Sequence, residues 1–163
     1  MRFRNWIPFF LPHLTKAHLM DPDNSSLGAF VGLEMSTDKT KMYRAVLEGL
    51  CFETKICFEV IQSLGIPVNK IVASGGCSKS EILMQTKADV LEFPVDILEN
   101  PDAGIAALAM ICAVADRKYE NYKEASEYFV KTGRRYVPCK DYREKYRQYI
   151  KVYSATKELY KTL

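Results

Sequence analysis

An α/β fold is predicted by three features of the chain. Residues Ile71–Leu98, "IVASGGCSKSEILMQTKADVLEFPVDIL", place a β-branched run, the chain's single Gly-Gly pair, a helical repeat and a second β-branched run next to one another. Strand and helix signals keep alternating over residues 68–115, the pattern of parallel strands joined through helices. Two longer stretches, about 37–64 and 141–160, repeat apolar or aromatic residues at helical spacing. With 163 residues, 48% hydrophobic and 26% charged, the chain has the composition of one ordered domain spanning 1–163.

The elements are expected in this order. "NWIPFFLP" gathers Trp6, Ile7, Phe9 and Phe10 and is expected to stay exposed as an apolar contact patch. "MDPDNSSLG" reads as a loop and "GAFVGLEM" as a strand around Phe30 and Leu33. A long helix follows from a cap at Thr37 to Leu64, with Met42, Val46, Leu50, Cys57, Ile61 and Leu64 on one stripe and Gly65 and Pro67 as its stop. Gly49 inside that helix costs about 1 kcal/mol relative to alanine, which calls for close packing against another element or a ligand. Next come a strand ending at Ala73, the Gly-Gly turn, and a helix to about Glu92 capped by Ser78 or Ser80. The strand "PVDIL" leads into "ENPDAGIAALAMICAVADRKY", a helix of small residues expected to lie buried on a sheet. "NYKEASEYFVKTG" gives a short helix, and the last begins near Asp141. On it Tyr142, Tyr146, Tyr149, Tyr153 and Tyr160 share one face, read as a packing face with its hydroxyl ends in water.

Composition excludes several classes. The longest apolar run, Ala103–Ala115, is too short to span a bilayer of about 30 Å, so no membrane role is expected. The opening "MRFRNWIPFFLPHL" is broken by Pro8 and Pro12 and lacks a small-residue cleavage site, so export is not expected. Cys51, Cys57, Cys77, Cys112 and Cys139 are odd in number and form no CxxC pair. That argues against a disulfide framework or zinc site and for a reducing, cytoplasmic setting. His13 and His18 are five apart in a Pro-containing segment and read as loop histidines; no metal site is assigned. Net charge is +3, with the basic excess confined to residues 116–163. There the tyrosines follow a helical period, so a nucleic-acid surface is not assigned.

The chemistry concentrates at the Gly-Gly turn. It lies at the carboxyl end of a strand, where ligands gather in α/β sheets. Glycine permits positive φ and lets a ligand approach the backbone, and the following helix start attracts anionic oxygens. The spacing is neither a Walker A loop nor GxGxxG, so a phosphate-bearing ligand and an ordinary tight βα turn both fit.

Four blocks together resemble the carbohydrate kinases named for an FGGY motif, which include xylulokinase, glycerol kinase and ribulokinase, within the actin-like ATPase superfamily. "FFLPHL" resembles the segment opening their C-terminal domain. "GAFVGLEMSTDKTKMYRAVLEGLCF" is similar to the second family signature, with Gly28, Phe30, Gly32, Leu33, Ala45, Val46, Leu47 and Glu48 in place. "ASGGCSKSEILMQTKADVL" resembles the adenosine loop and its helix, and "AGIAALA" the small-residue helix after it. The resemblance covers nearly the whole chain and the C-terminal domain only. Departures are Lys41 where the signature has an acidic, amide or imidazole group, Cys77 for a small residue, Ile105 for alanine, and "LTKAHL" near the substrate cleft.

The resemblance implies an actin-like (ribonuclease H-like) α/β domain with a mixed sheet flanked by helices, binding ATP with Mg²⁺ and serving transfer of the γ-phosphoryl group to a hydroxyl of a sugar or polyol, a xylulose-like ketose first. It implies nucleotide contacts at Gly75, Gly76, Cys77 and Ser80, the first two admitting adenosine and phosphate and Ser80 hydrogen-bonding the adenine. The catalytic carboxylate and most sugar contacts belong to an N-terminal domain of the same enzyme, absent from these residues, so no catalytic residue is assigned here and the chain alone is expected to be inactive. Glu48 and Asp89, in helical blocks, are read as structural hydrogen-bonding acids rather than catalytic ones. A homodimer is a further candidate assembly. Two alternatives stand beside this reading: another actin-like ATPase-superfamily protein, and a nonenzymatic nucleotide-binding or interaction module.

Overall fold

The computed structural model describes residues 6–15, 26–100 and 102–162. These form two compact units: one holds the described residues up to Pro67 with Asp89–Leu91 and Cys139 onward, the other Val68–Ala88 and Glu92–Pro138.

In the first unit, β1 (Phe9–Leu11) pairs antiparallel with β2 (Ala29–Val31), and the rings of Phe10 and Phe30 sit 4.6 Å apart across the pair. The strand read in "GAFVGLEM" is thus confined to Ala29–Val31, and Leu33 is exposed. α1 spans Lys39–Ser63. Its cap is Asp38, whose Oδ1 accepts the Lys41 N–H at 2.8 Å. Thr37, the expected cap, instead accepts the Glu34 N–H and closes the preceding turn.

The buried face of α1 also differs from the expected stripe. Ala45, Leu47, Glu48, Gly49, Cys51, Phe52 and Lys55 are buried, while Leu50 and Leu64 are largely exposed. The cause is β1, which crosses the helix so closely that a Cβ on Gly49 would run into the carbonyl oxygen of Phe10. Close approach selects the face carrying the smallest residue, and the glycine cost is offset by the packing it permits. The same contact buries Phe9 and Phe10 to 5% and 9% exposure, so the expected exposed patch does not form at these rings. Trp6 is half-buried and donates its Nε1–H to the Gly32 carbonyl at 2.8 Å.

α5 (Arg143–Tyr160) completes the unit. Tyr142, Tyr146 and Tyr149 surround Phe52 with ring centroids 6.2, 5.8 and 4.9 Å from it, the first edge-on and the other two tilted, all within the range of about 4.5–7 Å of interacting aromatic pairs. The tyrosine face is therefore a packing face. Its hydroxyl ends, expected in water, meet carboxylates of α1 instead: Tyr142 donates to Glu48, Tyr149 to Glu53 and Tyr146 to Glu59. His13, read as a loop histidine, is buried beside this face, its Nδ1 2.5 Å from Ser26 Oγ and its Nε2 3.1 Å from Glu53 Oε1. His18 lies outside the described residues.

In the second unit the strand order is β3 (Ile71–Ala73), β4 (Val95–Leu98), β5 (Thr132–Tyr136). β3 and β4 are parallel, β4 and β5 antiparallel with an irregularity between Asp96 and Leu98. β5 has no counterpart among the expected elements, because "TGRRY" carries two arginines and lacks an apolar alternation. Its pairing is set by charge: Arg135 lies opposite Asp96 and donates to both carboxylate oxygens at 2.5 and 2.9 Å. That bond, with Lys70 at 3.7 Å, holds the Asp96 carboxyl below its ordinary range against the opposing effect of burial.

α2 (Glu81–Leu91) links β3 to β4 in sequence, and Glu92 in the left-handed region ends it. α3 (Ala103–Ala115) packs with α4 (Tyr122–Phe129). α3 was expected to be buried, yet only Ala106 is, with Ile105, Leu108 and Ile111 half exposed or more. The helix is apolar on all sides, and three strands of three to five residues cannot cover it. No helix among the described residues is long and apolar enough to cross a membrane.

The end of α3 carries a backbone expense. The N–H groups of Arg117 and Lys118 bond the carbonyls of Val114 and Ala113, which forces Arg117 to φ +59°. This is the helix-ending position that glycine fills without a Cβ penalty. Arg117→Gly is expected to raise stability by about 1 kcal/mol, read as a higher urea midpoint at unchanged slope. A lower midpoint would mean that the arginine side chain contributes more than the backbone costs.

Candidate functional site

β3 ends at Ala73, and the chain turns sharply through Ser74 and Gly75. Gly75 sits at φ +82°, ψ −176°, a conformation closed to most L-residues, so its glycine is required by the turn. A short 3-10 turn follows over Gly76–Lys79. It is pinned by Ser78, whose N–H and Oγ–H both reach the Gly75 carbonyl, at 3.1 and 2.7 Å. Of the two expected caps for α2, Ser80 serves: its Oγ accepts the Leu83 N–H at 3.4 Å.

Gly76 differs from Gly75. Its φ lies outside the left-handed region, and a Cβ there would meet no atom of the described residues within 4 Å. Nothing in the fold demands glycine there.

The turn opens onto a cleft of about 460 Å³ lined by Ser74, Gly75, Gly76, Lys79, Asp102, Ala103 and Gly104. That volume suits a small-molecule ligand. Across from the turn, Asp102 caps α3 by accepting the Ile105 N–H at 3.1 Å, and a Cβ on Gly104 would meet nothing nearer than Asp102 Oδ1 at 3.5 Å. Of the four residues singled out in the sequence, Gly75 and Gly76 line this cleft, whereas Cys77 and Ser80 are absent from its lining. Cys77 is exposed and Ser80 half-buried as a cap. Sequence reasoning missed Lys79, Asp102, Ala103 and Gly104; the available signal was a glycine in the first turn of a helix behind a capping aspartate. A second hollow, about 630 Å³, lies along α3 and α4 with walls of Tyr119, Tyr128 and Phe129.

The two tempting carboxylates are occupied elsewhere. Glu48 accepts from Arg44, Tyr142 and Lys145. Asp89, 2% exposed, accepts the N–H groups of Cys139 at 2.7 Å and Lys140 at 3.3 Å. Both carboxylates are held by fixed structural partners.

Comparison with known proteins gives the family of the chain. Over 154 residues the chain is 26% identical to the xylulose kinase of Bacillus subtilis (strain 168), covering 92% of this chain and 31% of that one. It is 32% identical over 115 residues to the glycerol kinase of Acaryochloris marina, covering 70% of this chain and 23% of that protein. The crystal structure of a xyloylose kinase from Brucella ovis superposes with a TM-score of 0.82 at 27% identity, over 94% of this chain and 32% of that one. The chain thus spans about a third of the length of the xylulose kinases it matches. The α/β expectation, a mixed sheet with helices in the actin-like ATPase fold of these kinases, holds. Residues 5–115, from before β1 through the Gly-Gly turn to the end of α3, match the profile of the C-terminal domain of the FGGY carbohydrate kinases, and the chain belongs to that family.

Proposed function

We propose that this chain is the ATP-binding part of a kinase that transfers the γ-phosphoryl group of ATP to a hydroxyl of a sugar or polyol, with a xylulose-like ketose as the first substrate to assay. The observation that carries the reading is Gly76: a glycine that neither backbone conformation nor packing requires, at the carboxyl end of a parallel strand, facing an open cleft. In this reading Gly75 makes the turn and Gly76 leaves room for adenosine against the backbone. Ser80 spends one hydroxyl lone pair on its cap, which leaves its O–H to donate to the adenine ring. Cys77 borders the same turn.

Phosphoryl transfer is chiefly a matter of positioning: Mg²⁺ on the phosphates, an in-line hydroxyl, and a carboxylate to accept its proton. Glu48 and Asp89 are committed to structural bonds. The carboxylate and the sugar contacts are therefore assigned to a preceding domain of the same enzyme, and the 163 residues alone are expected to be inactive. The ketose is favoured because xylulose kinases are prominent among the relatives.

The test uses the full-length enzyme with ATP, Mg²⁺ and ketopentoses, beside its Gly76→Val variant. Valine puts a branched Cβ where adenosine must lie. ATP affinity is expected to fall about ten- to a thousandfold at 1.4 kcal/mol per tenfold, while sugar affinity and Tm stay close to wild type. Unchanged ATP affinity in the folded variant removes the turn from the nucleotide site. Turnover by the isolated 163 residues removes the division of labour.

A further inference from the structure

We infer that Lys79 is the phosphate contact of this cleft, the residue that makes it prefer a nucleotide to a nucleoside; the inference rests on the nucleotide reading of the Gly-Gly turn. Lys79 closes the 3-10 turn and is the one cation among the described residues lining the cleft. Its side chain is exposed, and among the described residues it makes no hydrogen bond or ion pair. The contrast within the same unit is with Lys70, Arg134 and Arg135, which lie against Asp96, Glu81 and Asp96 respectively. The carboxylate among the described residues of the cleft lining, Asp102, accepts the Ile105 N–H as the cap of α3, and no ion pair joins it to Lys79.

An unpartnered ammonium beside two glycines defines a ligand by chemistry. Gly76 and Gly104 leave the cleft walls bare, admitting a flat or bulky group between the turn and α3. Lys79 adds a compact, strongly hydrated point charge on a flexible stem, suited to a phosphate chain rather than a planar bidentate partner. Adenosine would use the bare walls, and the phosphates would use Lys79. The ammonium thereby fixes the direction in which the phosphate chain leaves the turn, which makes Lys79 a positioning residue for the transferred group.

The test measures binding of adenosine, ADP and ATP to the full-length enzyme, its Lys79→Met and Lys79→Arg variants, and Gly76→Val, at low and high salt. Lys79→Met is expected to weaken ADP and ATP about tenfold, leave adenosine unchanged and flatten the salt dependence of ADP binding. Lys79→Arg should restore most of the ADP affinity. Unchanged ADP affinity in Lys79→Met, or an equal loss for adenosine, overturns the assignment. If Gly76→Val weakens ADP while Lys79→Met does not, the turn is the nucleotide site and only the lysine is misassigned. If the unaltered enzyme binds no ADP, the nucleotide reading and this inference fall together.

Discussion

Glu48→Ala is expected to destabilise the protein by about 3–5 kcal/mol, the cost of breaking a buried ion cluster by removing one partner. Glu48 is 2% exposed on the inner face of α1 and accepts from three donors: Arg44 Nε at 3.1 Å one turn earlier, Tyr142 Oη at 3.2 Å, and Lys145 Nζ. Burial already pulls the Lys145 ammonium below the ordinary lysine range, and the Glu48 carboxylate opposes that pull. Alanine removes the opposing charge and strands Lys145 in a site where its side chain keeps 22% exposure. Arg44, with 46% of its side chain in water, re-solvates at little cost. Glu48→Gln, which keeps the shape and an acceptor oxygen, should lose roughly half as much. Urea unfolding followed by circular dichroism decides the matter. A loss below about 1 kcal/mol would class the cluster with exposed ion pairs.

That cluster also shows how far the sequence could be read. Glu48 stands out as the acid closing the second family signature, and its surroundings decide what it does. It fastens α5 to α1 across 97 positions of sequence through Lys145, a pairing that no periodicity reveals. Local signals were legible where local physics governs. Gly65 ends α1, Ser80 caps α2, and the only adjacent glycines sit where β3 turns toward a helix. Gly49 was legible as a packing glycine, because a glycine in a helix interior has a cost that something must offset. The face it marks was not. Ranking by hydrophobicity chose Leu50 and Leu64, whereas the approach of β1 chose Ala45, Gly49 and Phe52. β5 escaped notice because Arg135 pairs with a buried aspartate from another strand, so its stabilising partner lies 39 residues away. In the cleft, the turn was visible in sequence and its opposite wall was not, since Asp102 and Gly104 reach it only through the fold.

The tyrosine face of α5 makes the protein sensitive to alkali, with a slope that can be stated in advance. Tyr146 and Tyr149 are buried phenols, and burial is the main force raising both above the ordinary tyrosine range. Glu59, accepting from Tyr146 at 2.7 Å, and Glu53, accepting from Tyr149 at 2.5 Å, add to it, because a phenolate would face a carboxylate. Burial raises Tyr142 too, with Arg44 opposing and Glu48 assisting. In the unfolded chain such phenols titrate near pH 10. Below that value both states hold the proton and the stabilisation is complete. Above it the unfolded chain releases protons that the folded one retains, so stability falls as pH rises until the folded values are reached. Each retained proton contributes about 1.4 kcal/mol per pH unit, so Tyr146 and Tyr149 together give roughly 3 kcal/mol lost for each unit above pH 10. Urea unfolding at successive pH values should show this slope, and tyrosinate absorbance for these residues should appear only together with loss of the helical signal. Tyr149→Phe should reduce the slope by about half while lowering stability at neutral pH, since Glu53 loses a donor. A protein whose stability is level from pH 10 to 11 would place these hydroxyls in water, and the contact between α5 and α1 would then be far looser than its geometry indicates.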